Sequence, residues 1–262
     1  MRLGVEGAIV DGRVVPGDVA VDDGRITAYG LASANGRGIA APGLVDLQVN
    51  GFAGVDFLDA DLDGYRRAGE AILETGVTSY LPTFITAPDQ QLLAALREVP
   101  ATSDGPHVLG VHLEGPFLSA RRLGIHPESA RRDPDVAFME TLLSAGPVRL
   151  VTLAPELPGA EALVDTLLRH DLIICDEVGF APLDDTAAQL LFRFIAAAYE
   201  RRALGIASHW PFESWGRFLP EHTTAVSMLD RLLHHCHTVV TDGDSYRMKQ
   251  ARGQGGTRIK TS

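Results

Sequence analysis

The chain has 262 residues, enough for one large α/β domain or two smaller ones. It is 45% hydrophobic, holds only the cysteines Cys175 and Cys236, and has no apolar run of spanning length, which excludes a disulfide framework and gives no sign of a membrane helix. The net charge of −11 is uneven: residues 1–170 carry 13 Lys+Arg against 23 Asp+Glu, and residues 171–262 carry 10 against 11. An acidic front argues against nucleic-acid binding there. The basic residues Arg247, Lys249, Arg252, Arg258 and Lys260 read as a solvated tail, with disorder expected over residues 251–262. The N-terminus lacks the charged-then-apolar pattern of a secretory leader, so a cytoplasmic location is expected.

Short strands are predicted over 5–10, 13–15, 18–21 and 25–29, separated by the turn dipeptides Asp11-Gly12, Pro16-Gly17 and Asp23-Gly24. From residue 39 strands alternate with helices. The predicted strands are 44–49, 77–85, 108–113 and 148–153, and the predicted helices are 62–74, 88–99, 134–144 and 159–170. Four such units imply a parallel sheet or half of a (β/α)8 barrel. Alternation continues with strands at 172–175, 204–207 and 237–241 and helices at 185–202 and 223–235.

Polar groups at the C-terminal ends of barrel strands are where such folds build sites. Three stretches stand there: Ala41-Pro-Gly-Leu-Val-Asp-Leu-Gln-Val-Asn-Gly51, Thr78-Ser-Tyr-Leu-Pro-Thr83 and Gly110-Val-His-Leu-Glu-Gly-Pro-Phe117. The carboxylate of Glu114 can ligate a divalent metal.

These stretches, with Gly124-Ile-His126 and Leu153-Ala-Pro-Glu156, resemble N-acetylglucosamine-6-phosphate deacetylase of the amidohydrolase superfamily in order and spacing, over about residues 1–168. The resemblance implies a partial β-sandwich over 1–40 and the first half of a metal-dependent barrel over 41–168. It implies hydrolysis of the acetamide of an amino-sugar phosphate by a metal-bound water, the metal being zinc or iron. By the same resemblance Glu114 is the carboxylate metal ligand and His126 lies near the substrate. Gln48 and Asn50 occupy the place where related amidohydrolases carry a His-x-His pair, and are taken as substrate-facing. The family's later Gly-His and Thr-His strand ends, and its catalytic aspartate, have no counterpart after residue 168, so the activity is expected to be lost. A catalytic residue is therefore not assigned.

Further along, Leu172 to Cys175 is an apolar run ending in Asp176-Glu177. Such a pair can place one carboxylate near Mg²⁺ and one near an attacking water in a nucleotide-hydrolysing fold. With Ser208-His-Trp-Pro-Phe-Glu-Ser-Trp-Gly216, Leu229-Asp-Arg-Leu-Leu-His-His235 and Ser245-Tyr-Arg247, it resembles the IstB-like helper ATPases of transposition over about residues 171–250. That resemblance implies an AAA+-type α/β fragment, with Asp176 and Glu177 as the second nucleotide motif, Ser208 at the sensor position and Arg231 reaching a neighbouring subunit's ATP. Both families imply use of neighbouring subunits. The segment Val239-Val-Thr-Asp-Gly243 imitates the deacetylase aspartate motif, but its flanks follow the ATPase-like pattern. The only lysines are Lys249 and Lys260, so a G-x-x-x-x-G-K-[ST] phosphate loop is impossible in this chain. Three functions follow as expectations: an incomplete deacetylase, an incomplete ATP-binding helper, or a non-functional chimera.

Overall fold

The computed structural model describes residues 1–32, 35–101, 105–154, 157–167, 172–179, 182–199, 201, 203–208, 210–220, 222–234 and 236–240. The chain divides into two compact units, Met1–Thr166 and Leu167–Ser262.

The first unit opens with β1 (Gly7–Val10), β2 (Arg13–Pro16), β3 (Asp18–Asp22), β4 (Arg25–Leu31) and β5 (Ile39–Ala40). The β1–β2 and β3–β4 pairs are antiparallel, and β5 joins β1 in parallel. Asp11 and Asp23, at φ 48° and 47°, make the left-handed turns that join the strands of each hairpin. Asp18 holds this layer together. Its buried carboxylate accepts from the backbone N–H groups of Gly4, Val5 and Val19 at 2.9, 3.1 and 2.7 Å, and from Arg2 Nε at 3.0 Å.

The rest of the unit is a run of β/α repeats. In order come β6 (Leu44–Val49), β7 (Gly51–Phe52), β8 (Val55–Asp56), α1 (Leu62–Leu73), β9 (Val77–Ile85), α2 (Asp89–Glu98), β10 (His107–Val108), β11 (Val111–Glu114), α3 (Val136–Ala145), β12 (Val148–Thr152) and α4 (Ala160–Leu167). β6, β9, β11 and β12 pair side by side, all in parallel, as the opening strands of a (β/α) barrel do. Apolar runs make the strands, with β9 buried continuously over Tyr80–Phe84 and β11 over Val111–Leu113, and 3.6-period apolar spacing makes the helices. Their meeting faces bury Phe57, Tyr65, Tyr80, Phe84, Leu92, Leu96, Leu113 and Leu142. Asp61 caps α1 by accepting from Gly64 N–H at 2.8 Å, and Asp135 caps α3 through Phe138 N–H at 3.1 Å.

The predicted strand 108–113 is divided. Gly110 sits at φ 140° between β10 and β11, with Pro147 and Arg149 so close that a Cβ would lie 2.4 Å from the Pro147 carbonyl oxygen. The backbone turns out of the ladder there and re-enters it at Val111.

The second unit has β13 (Leu172–Val178), α5 (Asp185–Ala198), β14 (Ala203–Ser208) and α6 (His222–Leu233). β13 and β14 pair in parallel, with an irregularity between Cys175 and Val178. Asp184 caps α5 through Ala187 N–H at 2.8 Å. A core of Ala188, Ile195, Trp215, Phe218, Leu219 and Met228 lies among these elements and the 3-10 segment Phe212–Arg217. Trp215 Nε1 donates to the Trp210 carbonyl at 3.1 Å, and Trp210 Nε1 to that of Gly179 at 3.0 Å, so the buried indole of Trp215 and the half-buried one of Trp210 are both satisfied. The predicted strand at 237–241 does not form over residues 237–240. Val239 and Val240 are each 83% exposed, and β-propensity without a partner ladder does not make a strand. Thr241 and the tail 251–262 lie outside the described residues. No helix among the described residues is long and apolar enough to cross a membrane.

Candidate functional site

Parallel pairing brings the C-terminal ends of β6, β9, β11 and β12 to one rim. The register sets His112 opposite Thr83 on β9, and Glu114 opposite Thr152 on β12. Gly115 follows at φ 95°, and a Cβ there would lie 2.2 Å from Thr86 Oγ1, so only glycine lets the chain turn from β11 into the loop beside Thr86.

His112 is buried at 3% exposure and both its ring nitrogens are engaged. Nε2 lies 2.8 Å from Thr152 Oγ1, and Nδ1 lies 3.4 Å from Thr83 Oγ1. Burial pushes the imidazole's pKa below 6.5, while the charge of Glu114 and the nearby Leu47 backbone pull it part of the way back. Thr83 Oγ1 in turn accepts from Val49 N–H at 3.0 Å, a second tie between β9 and β6.

His126 comes from the loop after β11. Its Nδ1 accepts from the backbone N–H of Thr86 at 3.2 Å and lies 3.0 Å from Thr86 Oγ1. An Nδ1 that accepts a backbone N–H carries no proton, so in the neutral ring the proton is on Nε2. That Nε2 faces Glu114 Oε1 at 3.9 Å, with the Glu114 side chain 24% exposed and the His126 side chain 8% exposed. The pair offers one N–H donor and one carboxylate acceptor at a half-open rim, a combination suited to a hydroxyl or amide group. Gln48 and Asn50 are exposed at the end of β6. The Gln48 backbone N–H is held by Asp46 Oδ1 at 3.0 Å, and the Asn50 carbonyl accepts from Phe57 N–H at 3.0 Å.

A metal centre does not fit this donor set. A catalytic zinc takes three protein ligands. His126 presents an N–H and not a lone pair, and His112 has both nitrogens occupied, which leaves Glu114 alone. Among the described residues no three His, Cys, Asp or Glu side chains converge into a metal-holding group.

In the second unit Ser208 Oγ lies 3.0 Å from the Val178 carbonyl and 2.9 Å from that of Trp210, and accepts from Trp210 N–H at 3.2 Å. The hydroxyl closes the end of the β13–β14 ladder. Arg231 does not project from α6. Its guanidinium lies 5.2 Å from the Phe192 ring centre, and it donates to the Ser227 carbonyl at 2.9 Å. Asp176 and Glu177 occupy the last turn of pleat in β13 before Val178. Asp242 lies outside the described residues, as does Glu156. Burial pushes the Cys175 thiol up to about 11, so it is no nucleophile at neutral pH.

Residues 153–254 match the family of IstB-like ATP binding proteins. The human N-acetylglucosamine-6-phosphate deacetylase is 38% identical over 188 residues, covering 68% of this chain and 45% of that protein. The bovine enzyme is 42% identical over 156 residues, covering 56% of this chain and 38% of that one. The chain joins deacetylase-like sequence to IstB-like sequence. The deacetylase-like chain thus spans less than half the length of these relatives. The fold agrees: a Mycobacterium smegmatis N-acetyl-D-glucosamine-6-phosphate deacetylase superposes with a TM-score of 0.61 at 24% identity, covering 78% of this chain and 70% of that one. Both joined sequences are α/β, and β6, β9, β11 and β12 of the barrel portion run parallel beside one short antiparallel pair, β7–β8.

Thr83 and His112 lie in the strand-end stretches singled out from the sequence, but their hydrogen-bonded roles, and Thr86 and Thr152 as parts of the rim, were not foreseen. The available signal was positional: each hydroxyl stands at or next to the end of a strand whose neighbour ends in a histidine or an acid.

Proposed function

We propose that the reaction inherited by the deacetylase-like front is hydrolysis of the acetamide of N-acetylglucosamine 6-phosphate, and that this chain does not carry it through. The observation that supports the reading is the donor set at the rim, where Glu114 is the one group free to ligate. In this reading residues 1–40 are a partial β-sandwich, residues 41–168 are the first half of the barrel, and residues 171–250 are the IstB-like fragment. Glu114 stands at the family's metal position, and His126, Gln48 and Asn50 face the sugar. Metal chemistry would require two further ligands, so no hydrolytic step is assigned to the residues present. His126 Nε2–H and the Glu114 carboxylate can still hold and orient a polar group of the sugar. The test is to incubate the purified chain with N-acetylglucosamine 6-phosphate and Zn²⁺ and to measure the free amine. None is expected; amine that appears with the chain and vanishes with Glu114→Ala refutes the reading.

The match to IstB-like proteins favours a second reading, an ATP-binding helper in which Asp176 and Glu177 meet Mg²⁺. Phosphates need backbone N–H groups of a glycine loop and its lysine. With lysine only at positions 249 and 260, ATP is not expected to bind, and titration with a fluorescent ATP analogue plus Mg²⁺ should give no saturable signal. Contacts with DNA are likewise not expected of the acidic front, while both readings imply a neighbouring subunit.

A further inference from the structure

We infer that the rim cluster is a hydrogen-bonded latch across the barrel strands and not a cation site. The inference rests on reading this cleft as deacetylase-derived, but not on the absence of turnover.

Protonation decides it. A metal-bound imidazole gives a lone pair to the metal and donates its other N–H to a neighbour. His126 has the opposite arrangement, because its Nδ1 is spent accepting the Thr86 backbone N–H at 3.2 Å. To ligate through Nε2 the ring would have to lose its last proton or give up that bond. His112 is tied on both sides, to Thr152 at 2.8 Å and toward Thr83 at 3.4 Å. One imidazole therefore links β11, which carries it, to β9 and β12, and Thr83 Oγ1, by accepting from Val49 N–H at 3.0 Å, carries the tie on to β6. In a sheet that has not closed on itself, such cross-ties supply cohesion that ring closure otherwise provides.

The experiment uses the full chain, its Glu114→Gln variant and its His112→Phe variant. Equilibrium dialysis against Zn²⁺, with bound metal counted per chain, should give the same value for the chain and Glu114→Gln, whether that value is zero or reflects surface histidines. Added Zn²⁺ should not raise Tm in the chain more than in Glu114→Gln, since a ligand bound to the native state raises Tm by mass action. His112→Phe keeps a ring but deletes the ties and should lower Tm by several degrees or prevent folding. One equivalent of zinc present in the chain and lost in Glu114→Gln overturns the inference, as does an unchanged Tm in His112→Phe. Zinc bound through Glu114 without amine release would sink the latch alone; amine release without Glu114-dependent zinc would sink the reading of an inactive chain alone.

Discussion

Asp18 is 4% exposed, yet its carboxylate has four donors in reach. Burial pushes its pKa up, but the N–H groups of Val5 and Val19 and the Arg2 guanidinium outweigh burial and hold it below 3.8. A depressed carboxylate stabilises the fold above its unfolded value and loses that contribution as pH falls through the folded value. The Tm of the parent chain should therefore exceed that of Asp18→Asn at neutral pH. The gap should narrow as pH drops below 3.8, and a gap independent of pH would contradict the assignment. Tyr65 is the reverse case. Its hydroxyl is buried without a partner, and burial raises its pKa. Tyr65→Phe removes an unpaired polar atom while keeping the packing against Phe57, so it should raise unfolding free energy by about 1 kcal/mol in urea denaturation.

At the scale of elements, strand and helix positions in the first unit were legible because periodicity and turn dipeptides are local. β6 and β9 begin and end where alternation predicts, at 44–49 and 77–85. The break at Gly110 was not legible, because it depends on Pro147 and Arg149 approaching from the next repeat. Gly110→Ala would force a side chain to φ 140° against that backbone and should cost about 2 kcal/mol or more by chemical denaturation. Residues 237–240 failed for the complementary reason: valines favour a ladder, and among the described residues no strand pairs with them. At the rim, the places of Glu114 at a strand end and of His126 facing it were legible from motif order, though not their roles. The tautomer of His126 was not, since it is set by a backbone N–H forty positions earlier, at Thr86.

At the scale of the whole molecule, β6 pairs only with β9 among the described residues and exposes Leu44 and Val45 at 60% and 57%. An apolar edge strand is a template for unwanted pairing. Val45→Lys should reduce light scattering on heating without lowering Tm. Equal scattering in the two proteins would show that aggregation starts elsewhere. Under the proposed reading the same open edge follows from joining one barrel's opening strands to a different α/β sequence, each piece keeping its local pattern. The measurement that tests this most directly compares acetate release from N-acetylglucosamine 6-phosphate by the chain and by a version whose residues 169–262 are replaced with the corresponding C-terminal portion of the bovine deacetylase, both with Zn²⁺. The account predicts release from the repaired protein and none from the chain. Equal release from both would contradict it.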